Sequence, residues 1–242
     1  ETWACDMCCS LRNLGEELLK YDVLVVLDKM PDTKQKCVEL PSLQGKRYLM
    51  AIAEKEVSQL SNIKRIYVKN LIYTGQQMAT RLWMGDYITV SGTHTMELEE
   101  LSKLAGGDKQ ASGIDRLGVM RADVDNLGAA FMAGFPEQYA TLGRSAALSR
   151  QLSLFFKRYI NNLCGGEING INEDEYHKFA IFAVQPHKQR NVHIIYSGGD
   201  DMFIVGAWDD LLELSVDIRE AFRRFTNNKL SFSAGIGIFD SK

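Results

Sequence analysis

The second half of this chain is predicted to form an α+β domain in which helices cover one face of an antiparallel sheet. Residues 192–206 hold two apolar, β-branched runs around Ser-Gly-Gly-Asp-Asp, the pattern of a tight hairpin. Residues 142–163 and 209–225 have the apolar spacing of amphipathic helices, and strand-like runs begin at Leu117 and Leu230. The order β-α-β-β-α-β is that of the ferredoxin-like α/β sandwich.

The predicted hairpin is the most informative stretch of the sequence. Both of its runs are apolar on both faces, which predicts central rather than edge strands. Gly198 and Gly199 suit a turn that needs positive φ, and they leave bare backbone where a phosphate can approach. Asp200 and Asp201 then lie at the tip of a stiff hairpin. A solvated polar tip without a function is the alternative interpretation.

A further carboxylate pair occurs in the run that begins at Leu117. Asp123 and Asp125 alternate there, so their side chains point to the same face of a strand. If this strand lies beside the hairpin, Asp123 converges with Asp200 and Asp201. Clustered carboxylates repel one another unless a cation neutralises them, and Mg²⁺ prefers one or two carboxylates plus substrate phosphates. Two such ions roughly 3.5–4 Å apart are a common arrangement for nucleotidyl transfer.

Composition restricts the class of protein. The chain has 242 residues, enough for one large or two modest domains, and its formal charge of −3 argues against an entirely nucleic-acid-binding surface. No run approaches the roughly 18 apolar residues of a membrane span, and no signal peptide is visible. Five unevenly spread cysteines favour a reducing compartment, so we expect a cytoplasmic protein without a membrane partner. The sequence begins without Met and stops abruptly, which suggests a segment of a longer protein.

The first part of the chain is predicted to be a small β-rich domain over residues 1–105. Four runs have strand composition: 23–27, 48–53, 63–73 and 86–90. Thr95 is predicted to cap a short helix that extends to Leu104. Residues 106–113 have linker composition, so the second domain is placed at 114–242. Before the hairpin, an extra strand is predicted at 179–184, and His187, Lys188 and Arg190 form a basic cluster.

Cys5 and Cys8 form a C-x-x-C pair near the start of the chain. Such a pair supplies half of a tetrahedral zinc site. Cys37 is the only other nearby candidate, since no histidine precedes His94. A structural zinc site whose remaining ligands lie upstream of residue 1 is therefore one hypothesis, and reduced thiols without metal are the other.

Three motifs together resemble the catalytic palm shared by nucleotide cyclases, GGDEF diguanylate cyclases and some polymerases. They are Ser-Gly-Gly-Asp-Asp at 197–201, Ala-Asp-Val-Asp-Asn-Leu-Gly at 122–128 and Ser-Phe-Ser-Ala-Gly-Ile-Gly at 231–237. This version is most similar to the large polymerase/cyclase subunit of type III CRISPR complexes, subtype III-A, the Csm complex. The strong motifs cover about residues 115–240. The cysteine pair and the β-rich unit are similar to the zinc-bearing middle domain that precedes the second palm in that family.

The resemblance implies a nucleotidyltransferase that converts ATP into 3′–5′ cyclic oligoadenylate when its complex binds target RNA. Guide RNA and the other Csm subunits would be further partners, and the protein would be prokaryotic. Asp123 and Asp200 would hold two catalytic Mg²⁺ or Mn²⁺ ions, Asp201 would support them or bind a metal directly, and the Val124 carbonyl would complete a metal shell.

The resemblance also implies the nucleotide contacts. The backbone of Gly198 and Gly199 lies beside the metals, and amides around Asn126, Leu127 and Gly128 would touch the triphosphate. Ser197 lies close enough in sequence to orient the attacking hydroxyl or contact the adenine; a strand-end hydroxyl that bonds the turn is the alternative.

Two departures from the diguanylate cyclase pattern disfavour GTP as substrate. Gly128 stands where those enzymes have Lys. After the glycines those enzymes have Asp or Glu followed by Phe, whereas this chain has Asp201-Met202-Phe203. Three alternative functions remain: a stand-alone GGDEF-like cyclase, a template-directed polymerase, and a catalytically silent palm that binds nucleotide or RNA. The family's HD nuclease, first palm and C-terminal helical domain lie outside these residues. We therefore expect little activity from this segment alone, and we do not assign to it the cleavage of single-stranded DNA that the family places in its HD domain.

Overall fold

A computed structural model of the protein describes residues 4–31, 37–41, 45–71, 73, 75, 77–92, 94–106, 114–166 and 189–240. The chain divides into two compact units, Glu1–Trp83 and Met84–Lys242. This boundary lies earlier than the predicted one, because residues that follow Trp83 bond to the second unit. The Asp86 and Tyr87 amides donate to Asn161 Oδ1 at 3.0 and 3.1 Å. Residues 107–113 of the predicted linker and the predicted strand at 179–184 lie outside the described residues.

The first unit is built on a five-stranded sheet with the order β2-β3-β1-β4-β5. Its elements are helix α1 (Asp6–Leu18) and strands β1 (Val23–Leu27), β2 (Val38–Leu40), β3 (Arg47–Ile52), β4 (Ile63–Lys69) and β5 (Thr80–Leu82). Val25, Met50 and Ile66 are buried in its core. The strands predicted at 23–27 and 48–53 are confirmed to within one residue, and the one predicted at 63–73 is confirmed as far as Lys69, where β4 ends. The strand predicted at 86–90 is wrong, since only Val90 of that run is in a strand.

The second unit contains the predicted βαββαβ arrangement. After β6 (Val90–Ser91), β7 (His94–Thr95) and α2 (Leu98–Ser102), its elements are β8 (Leu117–Val124), α3 (Leu127–Ala133), α4 (Leu142–Leu154), a π-helical turn (Phe155–Tyr159), α5 (Ile160–Cys164), β9 (Val192–Gly198), β10 (Asp201–Ala207), α6 (Trp208–Phe225) and β11 (Phe232–Phe239). The sheet order is β11-β8-β10-β9, antiparallel throughout. Thr95 does not cap α2, because Glu97 occupies that position and its amide donates to Glu100 Oε2 at 2.8 Å.

Side chains alternate between the two faces of the second sheet. Along β8, Met120 and Ala122 are buried, whereas Arg121 and Asp123 are exposed. The buried face packs against α6 and the helices before β9, with Phe155, Phe156 and Phe222 at the centre. Burying each such ring stabilises the fold by roughly 1.5–3 kcal/mol. None of the described helices has both the length and the apolar character to cross a membrane.

Among the described residues, those that cover the other face of this sheet lie at one end. There α2 contacts β8 and β10, and His193 is fixed because its Nε2 contacts the Met96 carbonyl at 2.7 Å and its Nδ1 accepts from the Thr89 amide at 3.1 Å. The opposite end, which carries Asp123 and the hairpin, stays exposed.

Strand β9 is an edge strand, so the prediction that both hairpin strands are central is wrong for β9. Its apolar composition has a physical reason: the Ile194 amide donates to the Tyr87 carbonyl at 2.9 Å, so residues that precede β6 cover part of its outer edge.

A buried ion cluster joins the start of β9 to α6. Arg190 is 2% exposed, and its guanidinium contacts the carboxylates of Asp210, Glu213 and Asp217. Burial raises the pKa of Asp217 to about 6, since desolvation outweighs the attraction of Arg190. The prediction of a basic cluster is therefore wrong for Arg190, which is a core ion; His187 and Lys188 lie outside the described residues.

Candidate functional site

The hairpin turn consists of two residues, Gly199 and Asp200. Gly198 and Asp201 form the last cross-strand pair, and Gly199 has φ +69°. Glycine at the first central position with positive φ is typical of a type II′ turn, whose twist matches that of the strands. The predicted need for positive φ is confirmed at Gly199. The Asp200 carbonyl accepts from the Val124 amide at 3.1 Å, which ties the turn to the end of β8.

The strand register brings the acidic residues together. Asp201 and Ser233 lie directly opposite Asp123 on the two neighbouring strands, and Asp200 is adjacent in the turn. Directly opposed residues have Cβ atoms roughly 4.5–5.5 Å apart, and like charges in such a pair destabilise the sheet. The predicted convergence is confirmed for Asp123 and Asp201, but the described residues do not bring Asp200 into a three-carboxylate group with them.

The donor set fits a hard cation that is shared with a phosphate. Among the residues that the structure describes, no three Asp, Glu, His or Cys side chains form a metal site on their own. Mg²⁺ takes one or two carboxylates when substrate phosphates complete its octahedral shell, and Asp123 and Asp201 could provide them. A site of this kind is completed by its nucleotide.

Asp125 is held by two serine hydroxyls. Ser233 and Ser231 donate to its two carboxylate oxygens at 2.6 and 2.7 Å. These hydrogen bonds, that of Ser233 first, lower the pKa of Asp125. Because Ser233 also lies opposite Asp123, Asp125 lies on the same side of the sheet as Asp123, as predicted.

An aromatic pair and an arginine lie next to the carboxylates. The Tyr196 ring stacks on Phe203, with centroids 6.0 Å apart and planes 19° apart, and Tyr196 Oη donates to Asp201 Oδ2 at 3.1 Å. Arg121 lies opposite Phe203. Partial desolvation raises the pKa of Tyr196, as does Asp201, while Arg121 opposes both. Sequence reasoning missed these residues, although Arg121 and Phe203 lie two positions from Asp123 and Asp201 and so share their face.

Ser197 does not reach the carboxylates. It lies opposite Met202, which is fully buried, and its hydroxyl donates to the Phe156 carbonyl in the π-helical turn. A π-helical turn shifts the helix to i→i+5 bonding and changes which carbonyls are free to accept. Neither predicted role, orienting the attacking hydroxyl or contacting adenine, fits this position, and the hydroxyl bonds a helix rather than the hairpin turn.

Lys157 is a second residue that sequence reasoning missed. A methyl group placed on Gly198 would lie 3.1 Å from Lys157 Cε, so the lysine side chain lies against the glycine of the hairpin. The residue follows two buried phenylalanines in a helical pattern, and nothing in that pattern indicates which strand end it reaches. Glycine at 198 therefore leaves room for a cationic side chain beside the candidate phosphate position.

A pocket of about 690 Å³ opens beside Asp125. Asn126 and Ser231 line its polar side, and Leu148, Leu152 and Phe225 line its apolar side. This volume and mixed lining are usual for small-ligand pockets. Asn126 has φ 53° and precedes α3, whose first amides lack intrahelical partners.

The cysteine pair lies at the start of α1. Cys5 precedes the helix, and its Sγ is 3.4 Å from Cys8 Sγ. Hydrogen bonds from Cys8 lower the pKa of Cys5, and the same contact raises the pKa of Cys8. Such proximity fits one side of a tetrahedral thiolate site, and the described part of the chain supplies no third and fourth ligand.

Comparison with known proteins identifies the second unit. The family described as Cas10/Cmr2, second palm domain, matches residues 116–242. A Mycobacterium tuberculosis protein named CRISPR system single-strand-specific deoxyribonuclease Cas10/Csm1 (subtype III-A) is 44% identical over 199 residues, which are 79% of this chain and 22% of that protein. The Enterococcus italicus protein of the same name is 36% identical over 98% of this chain and 27% of its own length. The chain thus spans about a quarter of these relatives.

Solved structures give the same fold. The structure of a Csm1–Csm4 cassette in complex with cA3 matches with a TM-score of 0.69 at 26% identity. The match covers 96% of this chain and 30% of the chain in that structure. The structure of a Csm1–Csm4 cassette in complex with one ATP matches with a TM-score of 0.67 at 27% identity. This match covers 98% of this chain and 30% of the chain in that structure.

Proposed function

This chain belongs to the Cas10/Csm1 family of subtype III-A CRISPR systems, and from that premise we propose that its second unit is a nucleotidyltransferase palm that converts ATP into 3′–5′ cyclic oligoadenylate. The observation that carries the proposal is the direct opposition of Asp123 and Asp201 at the open end of the sheet, beside a glycine turn. The complexes of related Csm1–Csm4 cassettes with ATP and cA3 support the substrate class.

The groups at this end of the sheet would have two roles in phosphoryl transfer: metal binding and orientation of the triphosphate. Asp123, Asp200 and Asp201 would hold two Mg²⁺ or Mn²⁺ ions, with the Val124 carbonyl as a further ligand. Such ions lower the pKa of an attacking hydroxyl and stabilise the leaving oxygens. The Gly198–Gly199 backbone, the amides of Asn126, Leu127 and Gly128, and the Lys157 ammonium would orient the triphosphate.

The reaction that these groups serve is a displacement at the α-phosphorus of ATP. The 3′-oxygen of an acceptor nucleotide forms a bond to that phosphorus, the bond to pyrophosphate breaks, and the hydroxyl proton passes to solvent. The pocket beside Asp125 is large enough for the nucleoside of the donor. Because positioning supplies much of the acceleration, roughly 7–11 kcal/mol for well-oriented reactants, a separately held acceptor is needed. We therefore expect this segment alone to be weakly active.

The first unit is proposed to carry one structural zinc ion through Cys5 and Cys8. Elemental analysis of the full-length protein should find zinc that is lost in the Cys5→Ser, Cys8→Ser double variant and retained in Cys37→Ser. Zinc content that is unchanged in the double variant would remove both cysteines as ligands. Guide RNA, target RNA and other Csm subunits are proposed as partners through the complex, consistent with the Csm4 subunit in the related structures.

The function is tested with the full-length protein in its assembled complex. With target RNA and Mg²⁺, ATP and GTP are supplied separately and the products are identified by mass spectrometry. We expect cyclic oligoadenylate from ATP and no product from GTP. Asp123→Ala should abolish synthesis, and Asp115→Ala, an exposed acid in the same unit, should not. Template-dependent products would favour a polymerase, and nucleotide binding without turnover would favour a silent palm.

A further inference from the structure

A contact between Tyr196 and Asp201 at the open end of the sheet has no role in the proposed reaction as described above. Tyr196 Oη donates to Asp201 Oδ2 at 3.1 Å, so one oxygen of this carboxylate is held by a phenol, and Asp123 lies directly opposite Asp201 on β8. Carboxylates that bind metals are usually fixed by hydrogen bonds of this kind from a second layer of residues.

A β-bulge places Tyr196 where it can make this contact. His193 and Ile194 pair with Val205 and Ile204, whereas Tyr196 pairs with Phe203, so Ile195 is an extra residue on β9. A register shift of one residue moves every following side chain to the other face of a sheet. Without the bulge, Tyr196 would lie opposite Met202 on the buried face. With it, Tyr196 shares the exposed face of Asp201.

Two neighbours fix the Tyr196 ring and its surroundings. Phe203, two residues beyond Asp201 on β10, stacks on the ring at a centroid distance of 6.0 Å. Arg121, two residues before Asp123 on β8, lies opposite Phe203, and its positive charge opposes the rise in the pKa of Tyr196. The phenol therefore has a ring contact with Phe203 and a hydrogen bond to Asp201 on the same sheet face.

We propose that Tyr196 is a positioning residue for Asp201, which fixes the carboxylate so that its second oxygen faces the cation shared with Asp123. The proposal rests on the proposed function, because it assumes that these two carboxylates bind the catalytic metal. The bulge at Ile195 would then have a functional consequence, because it directs the Tyr196 phenol toward the metal site. Bulges are frequently found next to active sites, where they re-aim a side chain.

The test uses the full-length protein and measures metal binding in the presence of an ATP analogue with a non-cleavable α,β bridge, because the nucleotide phosphates complete the site. Mn²⁺ affinity is determined by electron paramagnetic resonance for wild type, Asp123→Ala and Tyr196→Phe; the binding lost in Asp123→Ala is the signal of this site. Tyr196→Phe keeps the ring and its stack on Phe203 but removes the hydroxyl. We expect about tenfold weaker Mn²⁺ binding, the lower end of the usual effect of removing such a partner. The Mg²⁺ concentration for half-maximal synthesis should rise in parallel, with kcat at saturating Mg²⁺ largely retained.

The control is Tyr139→Phe, which removes an exposed hydroxyl from a tyrosine whose ring lies against Arg144. Its metal affinity should equal that of the wild type. Unchanged Mn²⁺ affinity in Tyr196→Phe, with binding lost in Asp123→Ala, would overturn the positioning role alone. Binding that persists in Asp123→Ala would instead overturn the metal site of the proposed function. A reduced melting temperature of Tyr196→Phe without a change in metal affinity would indicate a structural role and also overturn the proposal.

Discussion

The second unit contains two groups of acidic side chains, and their surroundings differ. Around Arg190, the carboxylates of Asp210, Glu213 and Asp217 are buried and contact one guanidinium. At the hairpin, Asp123 and Asp201 oppose each other on an exposed sheet face beside glycine backbone. The first group has a cation built into the fold, and the second leaves room for an ion from solution. Acidic residues close in sequence therefore indicate a metal site only where the fold leaves their charge accessible.

The largest effect that separates the two groups is catalytic. Asp123→Ala should reduce oligoadenylate synthesis at least 100-fold, because the proposed metals lose a ligand. The same change should leave stability unchanged or raise it by about 0.2–1 kcal/mol, since it removes a like charge directly opposite Asp201. Synthesis and thermal unfolding measured on the same preparation check both parts. A destabilised, inactive variant would mean that Asp123 holds the fold rather than a metal.

The buried group should respond in the opposite way. Arg190→Met removes the guanidinium and leaves buried carboxylates uncompensated, which typically costs about 3–5 kcal/mol. We expect a large drop in melting temperature and faster hydrogen exchange in α6, which supplies all three carboxylates. Arg219→Met, at an exposed position of the same helix, is the matched control. Equal stability of the two variants would contradict a structural role for the cluster.

The pH dependence of stability should sharpen the contrast. The pKa of Asp217 is raised from 3.8 to about 6 in the folded protein, so between those values the unfolded chain loses this proton first. The contribution of Asp217 to stability therefore falls as pH rises from about 4 to about 6, and this cost persists above that range. At about 1.4 kcal/mol per pKa unit, it amounts to roughly 2–3 kcal/mol.

Asp217→Asn tests this contribution because it removes the titrating group and keeps its shape. The stability difference between variant and wild type should grow in favour of the variant from pH 4 to pH 6 and then level off. Asp115→Asn, at an exposed position, controls for the change of charge. A pH-independent difference would show that Asp217 has an ordinary pKa.

The sequence predicted the element order, the hairpin turn and the convergence of Asp123 with the hairpin. These features follow from local signals: apolar periodicity, the glycine pair, and alternation along a strand. Three features depend on contacts between distant residues and were not predicted. The bonds from residues 86–89 to Asn161 and His193 move the unit boundary, the burial of Arg190 depends on α6, and the Ile195 bulge depends on pairing with β10.

The smallest expected effect concerns Ser197, the residue on which sequence and structure disagree most directly. Continued without the bulge, the register of His193 and Ile194 would put Ser197 opposite Asp201; the bulge puts it opposite Met202. Ser197→Ala therefore removes a hydrogen bond to the Phe156 carbonyl and should cost about 1 kcal/mol of stability. The metal dependence of synthesis should be unchanged, and kcat/KM for ATP should stay within about threefold of wild type, because each 1.4 kcal/mol corresponds to a tenfold change and no substrate contact is lost. Steady-state kinetics of Ser197→Ala and Tyr196→Phe, measured under the same conditions, compare the two variants directly. A Ser197→Ala variant of normal stability with a large loss in kcat/KM would mean that Ser197 contacts the substrate. The register of β9 would then have to differ when nucleotide binds.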